Sequence, residues 1–471
     1  MKKAIFGVCI ALMTLSMLSA CAGAPTACAP AAAADQSGAV ASASIPEAPA
    51  LKTPPPAEPV TIRTTITDGE LSKDQIAAFE KLYPHIKVEI EAADSTKLAA
   101  ELATNSAPDV IRINGAFEAS GYIIRGIATD ITNRLETGSV IKMNELLPIC
   151  NVYRFDGKTI GQGPYYGLPK DWSNDYAVFY NKKCFDAAGV EVPDASRVMT
   201  WEDIFALAKR LTIVKDNRVE QYGLSANEWG QTVANFNLML QYVQSAGDKI
   251  SADGSSAIDF NAPSVENFIR MWVDGVKAGI GPNPLNNDQT PGGDLFLANK
   301  SAMIINGYWY SGVIRSSEVT KTHLDDFGML PTPMAANGAR VAPTGGATGA
   351  ILYSGSKHQD EAWAFFEWYF GGPPAQDRAK SGWGMPITAS LVDLLPQETS
   401  FDRQVLKVLG DESAYQKSFL PVNPYLAGGG WGIFDKYVAP LYFDKSTLEE
   451  AIVGMTKDAN VVVSEAKAAV Q

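Results

Sequence analysis

Residues 165–185 read YYGLPKDWSNDYAVFYNKKCF, and their order decides how the chain is divided. Tyr165 to Pro169 is aromatic and ends in a proline, which disfavours helix at the residue before it. Asp175 to Tyr180 is rich in β-forming residues, and Asn181 to Ala188 reads as a short helix stopped by Gly189. Between them Lys170, Asp171, Trp172 and Asn174 make a polar segment. A large aromatic in such a segment has no core of its own to fill. The stretch reads as a strand that leaves one lobe, passes a cleft and enters another.

Upstream, Val60 to Thr67 alternates as a strand and ends at the loop Asp68-Gly69-Glu70. Ser72 caps a helix with Ile76, Phe79 and Leu82 on one face. A second strand over Ile86 to Ile90, a helix over Lys97 to Thr104 and a third strand entered at Val110 complete a βαβαβ pattern. That pattern predicts an α/β protein with a parallel sheet, whose ligands bind beyond the carboxyl ends of the strands. Asp68, Glu70, Asn114 and Glu118 follow strand ends and are expected on one rim. Any one of them taken alone reads more readily as a helix cap or solvated loop residue.

Downstream, Thr200-Trp201-Glu202-Asp203 is a capping box for a helix to about Leu211. Helices over Val233 to Gln244 and Val265 to Ala278 flank an Asp253-Gly254 turn, and a strand from Ala302 to Ile305 leads to a loop bearing Trp309 and Tyr310. The run Pro343 to Gly349, with Gly346 inside it, reads as a second crossing, because its glycines permit bending and close approach, and Gly346 and Tyr310 are both expected to contact the ligand. His358 to Phe370 reads as an amphipathic helix. A third crossing is expected over Leu395 to Asp402, and a glycine-rich turn over Ala427 to Trp431. Residues 60–170 with 350–398 then make one lobe, and 174–346 with 402–471 the other.

The chain begins MKK, followed by an apolar run from Ala4 to Leu18 and then Ser19-Ala20-Cys21. A basic start, a short apolar region and small residues at the processing site describe a secretory signal over residues 1–20, not a membrane span. Leu18-Ser19-Ala20-Cys21 resembles a lipobox, which implies cleavage before Cys21 and a lipid on its thiol. The alternative is a plain signal with an incidental cysteine. From there to Pro59 the sequence is Ala, Pro, Ser and Gly with almost no bulky apolar residue, so it reads as a tether. The remaining roughly 410 residues exceed what one core holds and call for two domains. Cys150 and Cys184 are the two cysteines there, and in an oxidising compartment they either pair or stay free.

Nine tryptophans sort into two groups. Trp201, Trp272, Trp363 and Trp368 lie within helices at positions that fit an apolar face. Trp172, Trp229, Trp309, Trp383 and Trp431 lie in loops beside Gly, Asn, Asp or Ser. A loop tryptophan offers a flat apolar face and one N–H donor. Sugars have apolar C–H faces and a rim of hydroxyls, so they stack on such rings while Asp, Glu and Asn take the hydroxyls. Five such rings after strand or helix ends favour a shared cleft over separate packing beneath loops.

The order GLP, polar segment, apolar-apolar-YNK and a capped TWEDI helix resembles the family-1 extracellular solute-binding proteins. These are lipoprotein or periplasmic receptors of bacterial ABC importers, including the maltose/maltodextrin-binding proteins. The resemblance runs from about Val60 to the C-terminus. It implies a two-lobed periplasmic-binding-protein type II (Venus flytrap) fold with three inter-lobe crossings, a carbohydrate ligand and ABC permease subunits as partners. It also implies an extracytoplasmic monomer attached to the membrane through its lipid only. By motif order, Trp309 matches the sugar-stacking aromatic after an N-G turn, Trp229 the aromatic loop residue of the same lobe, and Trp431 the C-terminal cleft tryptophan. Asp171-Trp172 falls at the crossing where the family carries a sugar-binding carboxylate. A tryptophan at the Asn114 loop is missing, so the identity of the sugar does not carry over.

Other classes find little support. A net charge of −13 opposes nucleic-acid binding, which depends on Lys and Arg neutralising phosphate. His85, His323 and His358 are isolated, which argues against His-based catalysis and a transition-metal cage, and neither a Walker A segment nor a G-x-S-x-G elbow is present. No cofactor is expected. Two alternatives remain open: a glycoside hydrolase using Asp171 and Glu228 as a carboxylate pair, and a solute-binding protein for a polyamine or peptide.

Overall fold

The computed structural model describes residues 58–469 apart from 252–256, 345, 418–422 and 427–428. The signal and tether, the Asp253-Gly254 turn, Gly345 and Ala427-Gly428 lie outside the described residues.

Two sheets organise the chain. Their strands are β1 (Val60–Thr64), β2 (Ile86–Ile90), β3 (Val110–Ile113), β4 (Gly167–Pro169), β5 (Ala177–Asn181), β6 (Met303–Asn306), β7 (Phe327–Leu330) and β8 (Gly349–Leu352). The first sheet has the order β2-β1-β3-β8-β4. β1 runs parallel to β2 and β3, as the βαβαβ pattern requires, while β8 runs antiparallel to β3 and β4. The second sheet has the order β6-β5-β7 and is antiparallel. β4 and β5 lie on either side of the polar segment, so the chain does pass there from one sheet to the other.

Side-chain alternation on β5 divides the core. Ala177 and Phe179 join a cluster that also holds Ile62, Ile111 and Ile351 of the first sheet, whereas Val178 and Tyr180 join a second cluster with Trp201, Phe236 and Trp272. That period of two is what a strand buried on both faces imposes. The first cluster therefore runs from the first sheet to one face of the second.

Local signals explain several helix boundaries. Ser72 and Gln75 form a reciprocal capping box at the helix Lys73–Leu82, and Thr200 and Asp203 form another at Trp201–Leu211. Asn181 caps Lys182–Ala188, which ends on Gly189 in the left-handed conformation. The Asp94 side chain accepts from the Thr96 and Lys97 amides, so the second helix starts at Ser95. Asn235 does the same for Phe236–Ala246, a later start than the apolar pattern predicts.

One expectation needs correction, and one open alternative is decided. The helix Gln359–Gly371 is not amphipathic: every residue from Ala362 to Gly371 is buried. Its one charged residue in that run, Glu367, accepts from the Val140 and Ile141 amides at 2.7 and 3.1 Å, which satisfies a carboxylate that burial would otherwise strand. Cys150 and Cys184 are both free and buried, one in each core cluster, so they do not pair.

Three segments connect the sheets. The first, 170–176, and the second, 344–348, run side by side: the Lys170 amide donates to Thr348 O and the Asp175 amide to Pro343 O, both at 2.8 Å. The third, 395–399, leads into the helix Ser400–Glu412, whose Glu412 accepts from the Thr332 amide at 2.6 Å and from the Asn174 side chain.

Candidate functional site

The crossings form the floor of a cleft of about 540 Å³. Strand ends of the first sheet supply Thr67, Gly69, Glu70, Arg112 and Asn114 to one wall; the opposite wall carries Glu228, Trp229, Trp309 and Trp431. The crossings contribute Lys170, Asp171, Trp172, Ser173, Asp175 and the stretch Gly346 to Thr348, and Trp383 closes the remaining side. The position follows from topology: β1 and β3 end here with their carboxyl termini, where a parallel sheet leaves its binding crevice.

A charged network lies on the first wall. Glu70 accepts from Arg112 Nε at 2.5 Å and Nη2 at 3.0 Å, and Lys170 Nζ stands 3.5 Å from it. Lys170 also pairs with Asp171, and Arg112 donates to Asn114 Oδ1. Burial acts to raise the Glu70 pKa, but Lys170 and Arg112 outweigh it and hold this carboxyl at about 2. For Asp171 burial wins: its pKa is raised despite Lys170. The loop after Trp383 presses on this residue. Gly384 has φ +134°, and a Cβ there would overlap the Asp171 side chain, so the loop needs glycine.

The second wall is aromatic. Trp229 and Trp309 stack with ring centres 5.7 Å apart and planes 11° from parallel. Trp229 is 63% exposed. Trp309 occupies the cap position of the helix Tyr310–Ser316, and Trp431 lies in the first turn of Gly429–Tyr442. Both read as loop residues because a glycine-rich approach precedes each helix. Glu228 and Asp175, both part-buried, have their carboxyls raised to about 7 by burial.

Nine of the twelve expected ligand residues line this cleft: Glu70, Asn114, Asp171, Trp172, Trp229, Trp309, Gly346, Trp383 and Trp431. Trp172 does so with little free surface. It is 7% exposed, its indole N–H donates to Pro386 O at 3.1 Å, and its backbone pairs with Met385. That ring fastens the first crossing to the Trp383 loop and does not present an open face.

Three expected residues fall outside the cleft. Tyr310 is 1% exposed; its hydroxyl donates to Gly293 O at 3.3 Å and its ring packs edge-on against Phe179, so it supports the wall from behind. Asp68 points to solvent from a loop whose neighbours Thr67 and Gly69 line the cleft. Glu118 accepts from the Asn114 amide at 3.1 Å and lines a smaller adjoining cavity with Tyr122 and Arg125.

Arg112 and Asp175 were not among the expected residues. Arg112 lies within a strand, where its i+2 relation to Asn114 is the signal that both reach the same rim. Asp175 reads as the start of a strand, and only the pairing of two crossings brings it to Gly346. Among the described residues, no group of three or more His, Cys, Asp or Glu side chains could hold a metal ion, and no helix is long and apolar enough to cross a membrane.

A family model described as bacterial extracellular solute-binding protein matches residues 63–372. The chain belongs to that family. The solute-binding protein matches no curated protein sequence. Its fold is that of several solved structures. An ABC substrate-binding protein from Listeria monocytogenes, in complex with cycloalternan, aligns with a TM-score of 0.69 at 20% identity, over 86% of this chain and 99% of the other. The GacH receptor of Streptomyces glaucescens, solved unliganded and with acarbose, gives 0.66 at 18% identity over 86% and 99%. Maltose-bound MalE3 of T. maritima gives 0.66 at 17% identity over 85% and 99%. These likenesses establish the two-lobed type II binding-protein fold of this chain.

Proposed function

We propose that this solute-binding protein is a receptor for a sugar, most simply an oligosaccharide, which it holds in the inter-lobe cleft and hands to an ABC permease. The single observation that carries this reading is the convergence of Trp229, Trp309, Trp383 and Trp431 on one cavity whose facing wall is polar. Aromatic faces match the C–H faces of pyranose rings, and the Glu70–Arg112–Asn114 group offers acceptors and donors for hydroxyls. The cycloalternan, acarbose and maltose complexes of structures with the same fold support the choice of ligand class.

The three crossings act as a hinge, so that sugar contacting both walls favours the closed form. Cleavage before Cys21 and its lipidation tether the protein, as a monomer, to the outer face of the membrane. The cleft carboxylates are read as serving binding: Asp171, one of the two carboxylates that the glycoside hydrolase alternative uses, is committed to Lys170.

A glycan array probed with purified protein, followed by calorimetric titration of the hits, tests this reading. Stoichiometric binding with the sugar recovered intact is expected. Failure to bind any glycan, or turnover of the bound one, would overturn it.

A further inference from the structure

The cleft holds more carboxylate than cation. Glu70, Asp171, Asp175 and Glu228 reach it, against Arg112 and Lys170. Both cations are engaged on the first wall, Arg112 with Glu70 and Lys170 with Glu70 and Asp171. Asp175 accepts from the Gly346 amide. Glu228, like Asp175, has no ion-pair partner among the described residues, and burial is the main influence on its carboxyl.

The surroundings of Glu228 are specific. It directly precedes Trp229, whose exposed ring lies flat on Trp309. A Cβ built on Gly293 would come within 3.3 Å of both Glu228 Cβ and the Tyr310 hydroxyl, so this residue sits just behind the turn that carries Trp309. A part-buried carboxylate lining the same cleft as two parallel indole rings offers what a cation needs. The carboxylate supplies the counter-charge, and the negative ring faces supply an attraction that strengthens on desolvation. A hydroxyl would satisfy the hydrogen bond but leave the charge uncompensated.

Building on the sugar-receptor reading, we propose that the natural ligand carries a protonated amine, as an amino sugar with a free amino group does, and seats it against Glu228 and the Trp229–Trp309 pair. The elevated Glu228 pKa accords with a site that has no cation of its own. Tryptophan faces for the ring and a carboxylate for the nitrogen then belong to one recognition unit.

The test uses the full chain and oligosaccharides of one backbone and length that differ only at C2: glucosamine, N-acetylglucosamine and glucose oligomers. An array containing galactosamine and mannosamine equivalents extends the test to other backbones. The free-amine members are expected to bind at least tenfold more tightly than their N-acetylated and neutral counterparts. Glu228→Gln should abolish that preference while leaving the circular dichroism spectrum unchanged, and Trp229→Phe should retain it. Neutral sugars binding as well as amine sugars, with Glu228→Gln indifferent, would overturn the amine assignment and leave the sugar receptor standing. Binding of no sugar at all, or of spermidine alone, would overturn both.

Discussion

The Asp175 carboxylate accepts a hydrogen bond from the Gly346 amide at 2.7 Å, which ties the first inter-lobe crossing to the second within the wall of the cleft. The bond joins residues 171 apart in sequence. A side chain at Gly346 would meet that carboxylate at 2.9–3.1 Å. A hinge at the crossings would therefore have to bend both segments as one ribbon. Small-angle scattering with and without saturating ligand should show a smaller radius of gyration in the bound state. An unchanged radius would remove the hinge from the mechanism.

The same carboxylate makes stability depend on pH. Burial raises Asp175 to about 7, so the native state holds a proton that the unfolded chain releases near pH 4. Its contribution is fully present below pH 4 and is lost as pH rises through 7. Asp175→Asn keeps an acceptor for Gly346 without the charge. Its melting temperature should exceed that of the parent at pH 8, by the equivalent of about 1–2 kcal/mol for a part-exposed group, and match it at pH 4. A constant difference across that range would show that charge is not the cause.

Anchoring is a question for Cys21. Its place after Leu18-Ser19-Ala20 motivates the prediction that Cys21→Ser shifts the expressed protein from membranes to the soluble fraction. A variant that still sediments with membranes would point to another attachment.

Strand and cap signals were legible because their causes are local. The polar segment between two apolar runs marked the first crossing, and Ser72, Thr200 and Asn181 each announced a helix through the hydrogen bond they make. The tryptophans sorted by neighbourhood, since a ring beside Gly or Asn on a loop seldom has a core to enter. Trp172 shows where that reasoning stops. Its pocket is made by Met385 and Pro386, more than 200 residues away, and nothing near position 172 encodes them. Tyr310 differs from Trp309 only by the next step of a helix, which turns one ring to the cleft and the other into the core. The Lys170–Glu70–Arg112 group joins two strand ends with a crossing, so its charges read as separate solvated residues until the sheet brings them together.

Lys170 holds that group together, and its removal should be severe. Its side chain is 9% exposed and neutralises both Glu70 and Asp171. Lys170→Met leaves Arg112 facing Glu70 and strands Asp171, so a loss of about 3–5 kcal/mol is expected. Adding Asp171→Asn should restore part of that loss, because the stranded charge disappears. Urea unfolding of the parent and the two variants measures both effects, and a double variant no more stable than Lys170→Met would show that Asp171 is not the charge left unpaired.

The tryptophans offer the sharpest separation between binding and folding. Trp229 is exposed and touches the core little, so Trp229→Ala should change stability by less than about 0.5 kcal/mol. If it stacks on ligand, affinity should fall by about 30- to 1000-fold, the equivalent of roughly 2–4 kcal/mol. Trp309 and Trp431 each pack partly against a core cluster, so their alanine variants should lose affinity together with a smaller amount of stability. Trp272 is fully buried beside Phe205 and Phe268, and Trp272→Ala should cost about 3–5 kcal/mol of stability with affinity reduced only through that loss. Trp172→Ala belongs with Trp272 and not with Trp229, because its ring fills the space beneath Met385 and its N–H holds Pro386. Thermal melts and calorimetric titrations of the five variants decide the matter. A Trp229→Ala protein that melts early and binds normally would mean the ring merely shields Trp309, and the aromatic wall would cease to support a sugar.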